Sequence, residues 1–529
     1  MASNADLIVS QLKAAGISPG FGIPSGNVLP LMEAMRAGGM RFVLTAHEGS
    51  AAFAADVTGR MTGRPGLCIA THGPGATNLS TGIGCAFLDR SPMIAITCNV
   101  PVAQHGRRVQ MHIDHHALMR PITKATLPLR SGTIAATVSD AIALALAEPQ
   151  GPVHLDLPED VALASATEAP CAIPEPAPLA GPSENAVRTA REIIARARKP
   201  VAVIGAGART LNGSDALRRF VEHHRMPFAT TAMAKGMIDD DHPLSLGCIE
   251  RARRQVQRAF LKRADLIVGI GYDTAEVEYE AWIGDRPLLH VAIERADTDG
   301  TVAIAGDVIG RLDHSLAALD GESTNDWHDD EISAHRAAFQ ASLRPPTNRF
   351  APHQAIDVVR RVLPREGILA FDVGAHTHQI ASQWLAHAAG TFLLTNNWSS
   401  MGFGLPAAIA AKLARPDLPV VAIIGDGCFQ MTCGEVAVAR RLGLVLPIVV
   451  LDDNWLALIK VKQERRAYPY VGTALDPSPP PAHYFGVPAV AASNAAALED
   501  ALRAALRANG PTVIEAMVDA AHYSETVYD

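Results

Sequence analysis

Short apolar runs alternate with amphipathic stretches along the whole chain, and this alternation constrains the fold more than any other feature. The runs Gly66–Thr71, Met93–Thr97, Val201–Gly205, Leu266–Ile270, Leu288–Ala292, Ile368–Asp372, Val420–Ile424 and Ile448–Leu451 are each four to six residues long. Runs of that length read as strands buried on both faces, and stretches such as Thr77–Leu88 between them read as helices. The expected fold class is therefore α/β with parallel sheets covered by helices. A single core stops growing at about 250–300 residues, so 529 residues imply several domains. Two stretches interrupt the alternation: Ser165–Ser183, rich in proline, and Asp320–Asn348, polar and ending just past Pro345-Pro346. They divide the chain into three doubly wound domains, 1–165, 183–320 and 348–529.

A net charge of -8 with no basic block disfavours a nucleic-acid partner, because phosphate binding needs clustered Lys and Arg. No apolar window reaches the roughly 18–20 residues that span a bilayer. The first residues, Met1-Ala-Ser-Asn-Ala-Asp, have no basic region followed by an apolar one. Seven cysteines form neither a zinc spacing nor a disulfide framework. The expectation is a soluble cytoplasmic protein with reduced thiols and no membrane or nucleic-acid partner.

The third segment carries the strongest chemical signal. Strand Val420–Ile424 runs into Gly425-Asp426-Gly427, and strand Ile448–Leu451 runs into Asp452-Asp453-Asn454. Both ends belong at the carboxyl edge of neighbouring parallel strands, where open α/β sheets bind ligands. Gly425 and Gly427 let the backbone approach phosphate oxygens, and the amides that follow, including that of Cys428, point toward an anion. Asp426 and the Asn454 side-chain oxygen are hard ligands suited to Mg²⁺, with the carbonyl of Leu456 as a third.

This pattern resembles the signature of the thiamine-diphosphate enzymes, and further matches extend over essentially the whole chain. Leu44–Ala52 resembles the strand end and helix start that offer a glutamate, here Glu48, to the cofactor pyrimidine. Phe21-Gly22-Ile23-Pro24-Ser25-Gly26 is similar to the loop that packs on that ring, and Gly73–Asn78 to a loop of the acetolactate synthases. Arg120–Lys124, Gly151–Pro158, Lys235-Gly236, Asp241–Gly247 and Met401–Ala408 are further matches. The resemblance implies roles. The three domains would be pyrimidine-binding, central and diphosphate-binding. Glu48 would activate the cofactor and Met401 would wedge it in a bent shape. Pro24, Asn78, Gly374, Ala375 and His376 would contact it. A carboxyl buried at such an interface is expected to hold its proton more tightly. The two domains that share one cofactor would come from different subunits of a homodimer or homotetramer.

Departures from the synthase pattern cluster where substrate should sit. Met111 stands where the synthases place Gln, three residues before Asp114, in a loop rich in histidine: His112, His115 and His116. His72 replaces Ser before Gly-Pro-Gly. Lys462 stands where biosynthetic synthases place Trp. The stretch Gly269–Tyr279 lacks the flavin-associated Gly-x-Arg-Phe-Asp-Asp pattern, so FAD is not expected. The leading expectation is decarboxylation of a pyruvate-like 2-oxo acid with transfer to an acceptor carbonyl. His72 and Met111 favour an alternative, a non-oxidative decarboxylase releasing an aldehyde, because an imidazole can deliver a proton near neutral pH. A non-catalytic scaffold that binds thiamine diphosphate, or nothing, is the remaining reading.

Overall fold

The computed structural model describes residues 2–211, 213–277, 283–298, 300–323 and 325–527. The apolar runs form three separate sheets. The first holds β1 (Gly20–Gly22), β2 (Phe42–Leu44), β3 (Gly66–Thr71), β4 (Met93–Asn99), β5 (Ala125–Pro128) and β6 (Pro152–Pro158), in the order β2-β1-β3-β4-β6-β5. The second holds β7 (Pro200–Ile204), β8 (Phe228–Thr230), β9 (Ser245–Cys248), β10 (Leu266–Ile270), β11 (Leu288–Ala292) and β12 (Ile304–Ile309), in the order β12-β11-β10-β7-β8-β9. Every pair in these two sheets is parallel. The third holds β13 (Ile368–Phe371), β14 (Phe392–Leu393), β15 (Val420–Gly425), β16 (Pro447–Asp452), β17 (His483–Tyr484), β18 (Val487–Ala492) and β19 (Thr512–Met517). Its order is β14-β13-β15-β16-β19-β18-β17, parallel except for the β17–β18 edge hairpin. The α/β reading holds in all three.

The strands are apolar on both faces because helices cover both faces. β3, β4, β6, β7, β10 and β15 are buried at every position. The polar stretch after Asp320 is more than a linker. It contains a helix, Asp329–Ser342, which buries Ile332 and Phe339 against the central sheet. Its three acidic residues in the first turn suit a helix N-terminus, but they hide the sparse apolar face from a reading of polarity.

The first and third domains share one core. The Glu48 helix (Glu48–Thr62) packs on the Gly404 helix (Gly404–Ala414), and Phe53 meets Phe403 edge-on at 5.7 Å. Arg60 crosses the same boundary. It pairs with buried Asp56 and Asp89 and donates to the Leu394 carbonyl. This contact sets how the two candidate half-sites lie in one chain.

Candidate active site

Adjacency of β15 and β16 brings Asp426 and Asn454 together. Asp426 opens a short helix, Asp426–Thr432. Its Oδ1 accepts from its neighbour Gly427 N at 2.7 Å, and its Oδ2 accepts from Asn454 N, also at 2.7 Å, across the strand ends. Asn454 has a left-handed backbone, φ 61°, which Asn tolerates better than most residues. Burial, and then the charge of Asp452, holds the Asp426 carboxyl above its usual range. Burial, then Asp426, does the same to Asp453. Three carboxyls crowd this strand edge, and a divalent cation there would relieve their repulsion.

The surrounding loops fit a diphosphate. His376 is buried and its Nε2 has no hydrogen-bond partner among the described residues. Burial lowers its pKa to about 4, against a hydrogen bond to the Asp372 backbone, so the ring is neutral. The ring lies over Gly425, where an added Cβ would come 3.0 Å from Cε1. At Gly427 an added Cβ would meet Leu456 Cδ2 at 2.5 Å and Met401 Cε at 3.5 Å. Gly427 is therefore the floor on which Met401 and Leu456 converge. The carbonyl of Leu456 already accepts from Ile459 and Lys460 at the start of the Ala457–Arg465 helix, so a metal bond there would compete with that turn. Gly374 and Ala375 open the helix that carries His376, and Cys428 donates its thiol to the Val373 carbonyl.

Asp372 belongs to this site although the sequence reading passed over it. At the end of β13 its oxygens accept from Gly402 N and Gly404 N, each at 2.9 Å. Those two bonds pin the loop that carries Met401, in which Gly402 takes a left-handed φ of 94°. Its position at a strand's carboxyl edge was the available signal.

The other half-site lies in the first domain. Glu48 is the first residue of its helix, and the N-cap His47 Nδ1 accepts from Gly49 N at 3.0 Å. Glu48 is half-buried in this single chain. Its Oε2 accepts from Asn78 Nδ2 at 3.0 Å, and a Cβ on Gly75 would lie 3.6 Å from Oε1. Pro24 is exposed in the loop after β1. His72 follows β3 half-buried, with Nδ1 2.6 Å from Asn27 Nδ2. The amide is a donor, so Nδ1 accepts and the proton of neutral His72 sits on Nε2. Burial, then the neighbours His115 and His112, lowers the pKa of His72.

The histidine loop divides. Met111 is exposed with φ 62°. His112 pairs with Asn99 Oδ1 at 3.1 Å and stacks on His105. His116 Nδ1 lies 2.6 Å from Thr126 Oγ1. His115 instead is 1% exposed, at the start of the short His115–Met119 helix. Lys462 is half-buried on the helix after Asn454.

Glu435 was also missed. It is 1% exposed and its Oε1 accepts from Ala46 N at 2.9 Å and His47 N at 3.2 Å. A carboxyl of the third domain thus holds the turn that starts the Glu48 helix. Its partners are 389 and 388 residues away, so no local pattern could reveal it. Among the described residues no hydrogen bond joins Glu48 to Asp426, Asn454 or Met401.

In the central domain the Gly205-Ala206-Gly207 turn packs directly on Gly271 and Tyr272, and the Ala206 amide donates to Glu276. Glu278 and Tyr279, in the stretch used to argue about flavin, lie outside the described residues. No helix among the described residues is long and apolar enough to cross a membrane.

Asp426 and Asn454 at neighbouring strand ends of one sheet, with the Glu48 carboxylate at the edge of a second, suit a cofactor-dependent α/β enzyme. Comparison with known proteins assigns it. Models of the thiamine pyrophosphate enzyme N-terminal TPP binding domain, central domain and C-terminal TPP binding domain match residues 3–118, 187–319 and 372–516. The chain is 31% identical to the acetolactate synthase isozyme 1 large subunit of Escherichia coli, covering 99% of this chain and 95% of that one. It is 30% identical to the isozyme 2 large subunit of the same organism (98% and 96% covered) and to acetolactate synthase 1, chloroplastic, of Zea mays (97% and 85%). The chain belongs to the thiamine pyrophosphate enzymes, in the branch of the acetolactate synthase large subunits.

Proposed function

We propose that this enzyme decarboxylates a pyruvate-like 2-oxo acid and joins the remaining acyl unit to an acceptor carbonyl, with Mg²⁺ as the cofactor's anchor. When bound, thiamine diphosphate supplies the nucleophilic carbon and the electron sink that decarboxylation needs. Asp426 and the Asn454 side chain, with a backbone carbonyl such as that of Leu456, hold the metal. His376, Gly374, Ala375, Gly425, Gly427 and Cys428 cradle the diphosphate. Met401, fixed by Asp372 through Gly402 and Gly404, supports the ring junction. Glu48, oriented by Asn78, would hold or release a proton toward a bound pyrimidine, and Pro24 would line that ring. Met111, His112, His116 and Lys462 are the candidates for shaping or charging the substrate end, whereas His115, expected there from the sequence, is 1% exposed and turns its two ring nitrogens to Gly73 and Asp156. The division into domains 1–165, 183–320 and 348–529 belongs to the same reading.

The observation that carries this reading is Asp426 spanning the ends of β15 and β16 within an otherwise crowded carboxylate edge, in a chain similar to acetolactate synthases over nearly its full length. Glu435 holds the turn just before Glu48, and among the described residues no hydrogen bond joins Glu48 to Asp426 of the same chain; this favours a homodimer, or a tetramer of such dimers, in which each Glu48 faces the metal edge of the other subunit. The stretch Gly269–Tyr279, without the flavin-associated Gly-x-Arg-Phe-Asp-Asp pattern, favours a protein without FAD. The soluble cytoplasmic compartment is part of this proposal.

His72 supports a second reading. Its Nε2 proton, fixed by Asn27, would suit release of an aldehyde. Incubation with pyruvate, thiamine diphosphate and Mg²⁺ tests both: acetolactate supports ligation and acetaldehyde alone supports simple decarboxylation. Absence of cofactor binding by calorimetry would overturn both in favour of a scaffold.

A further inference from the structure

The turn beneath Glu48 is held from outside by a buried imidazole. Gly73 precedes the Pro74–Leu88 helix with φ 60° and ψ -110°, a conformation that essentially only glycine adopts, and no side chain caps that helix. An added Cβ on Gly73 would lie 2.1 Å from the Met111 carbonyl, so the turn is wedged against the histidine loop. His115 reaches across and its Nε2 accepts from Gly73 N at 3.2 Å. Accepting there requires an unprotonated Nε2. The proton therefore sits on Nδ1, which faces Asp156 Oδ1 at 3.0 Å.

Asp156 is itself fixed. Asn99 Nδ2 donates to both of its oxygens, at 3.0 and 3.2 Å. The Thr97 hydroxyl lies 2.9 Å from His115 Nδ1 and 2.7 Å from His154 Nε2, and His154 Nδ1 meets Thr126 at 2.6 Å. His115, His154 and Asp156 are close enough to hold a metal ion, but these bonds already satisfy each nitrogen. The cluster is a hydrogen-bonded brace.

The brace leads to Glu48. In the first turns of the helix that Gly73 opens, Asn78 donates to the Glu48 carboxyl, and a Cβ added to Gly75 would lie 3.6 Å from the other oxygen. We propose that His115, oriented by Asp156, is a positioning residue that sets the Gly73–Asn78 turn and thereby the Glu48 carboxylate. The proposal rests on the catalytic reading of Glu48.

Two isosteric replacements separate positioning from bulk stability. Gln places an amide oxygen near the Nε2 position and keeps the bond to Gly73. Asn places an amide N–H near the Nδ1 position and keeps the bond to Asp156 instead. His115→Gln should hold kcat within about fivefold of the parent. His115→Asn should lower kcat by about 10–100-fold with KM little changed, the range expected when a catalytic group is misplaced by about 1 Å. In the cofactor-free protein, amide hydrogen exchange over residues 73–80 should quicken in His115→Asn and not in His115→Gln. Equal activity and equal protection in the two variants, while Glu48→Gln is inactive, would overturn the proposal alone. An active Glu48→Gln would overturn the reading beneath it. A loss of activity in both variants that tracks only their melting temperatures would make His115 a core residue and also overturn the proposal.

Discussion

Replacing Glu435 by Gln should make the protein more stable above pH 7 and change it little near pH 4.5. Burial pushes the Glu435 carboxyl from 4.5 up to about 7, against the pull of Ser50 and the Ala46 and His47 amides. A carboxyl with a raised folded pKa binds its proton more tightly in the native state. Its folding advantage is complete below the unfolded value and declines as pH climbs from 4.5 toward 7. At about 1.4 kcal/mol per pH unit, the decline amounts to about 3 kcal/mol. Gln keeps an oxygen for the two amides and carries no charge at any of these pH values, so it escapes the decline. Urea unfolding of the cofactor-free protein at pH 5, 6, 7 and 8, variant beside parent, measures this. The advantage of Gln should grow from about 1 kcal/mol at pH 5 to about 3 kcal/mol at pH 8. A difference that is constant across the range, or a variant less stable than the parent at pH 8, would refute the reasoning.

Three further outcomes are expected. Glu48→Gln should lower kcat by about 10²–10⁴-fold, while the amide keeps the Asn78 bond and calorimetry shows thiamine diphosphate still binding. Asp426→Asn should weaken Mg²⁺-dependent cofactor binding by at least about tenfold, and chelation of the parent should imitate it reversibly. Gly427→Ala sets a methyl 2.5 Å from Leu456 Cδ2; the displaced leucine should raise the cofactor Kd with circular dichroism unchanged, and an unaltered Kd would argue against a diphosphate over that glycine.

Local features were legible wherever a function depends on neighbours in the chain. Apolar runs located the strands, because burial on both faces demands continuous apolar residues. The Gly425–Gly427 turn and Asn454 announced themselves because both halves end strands of one crossover unit. Glu48 emerged only by resemblance, since a carboxylate opening a helix is ordinary by itself. The Asp329–Ser342 helix stayed hidden because its charged surface outweighs a narrow apolar stripe.

The alternation of apolar and amphipathic segments by itself determined three largely parallel α/β sheets, and the residues at strand ends are what the proposed metal–diphosphate site rests on. Only the tertiary structure decided which charges meet. Glu435 under Ala46 and His47, Asp372 under Gly402 and Gly404, and Asp156 behind His115 and Gly73 are pairings between distant segments. Hydrogen bonds of that kind depend on where folded elements come to rest in space, and such distances leave no periodicity in the chain that forms them.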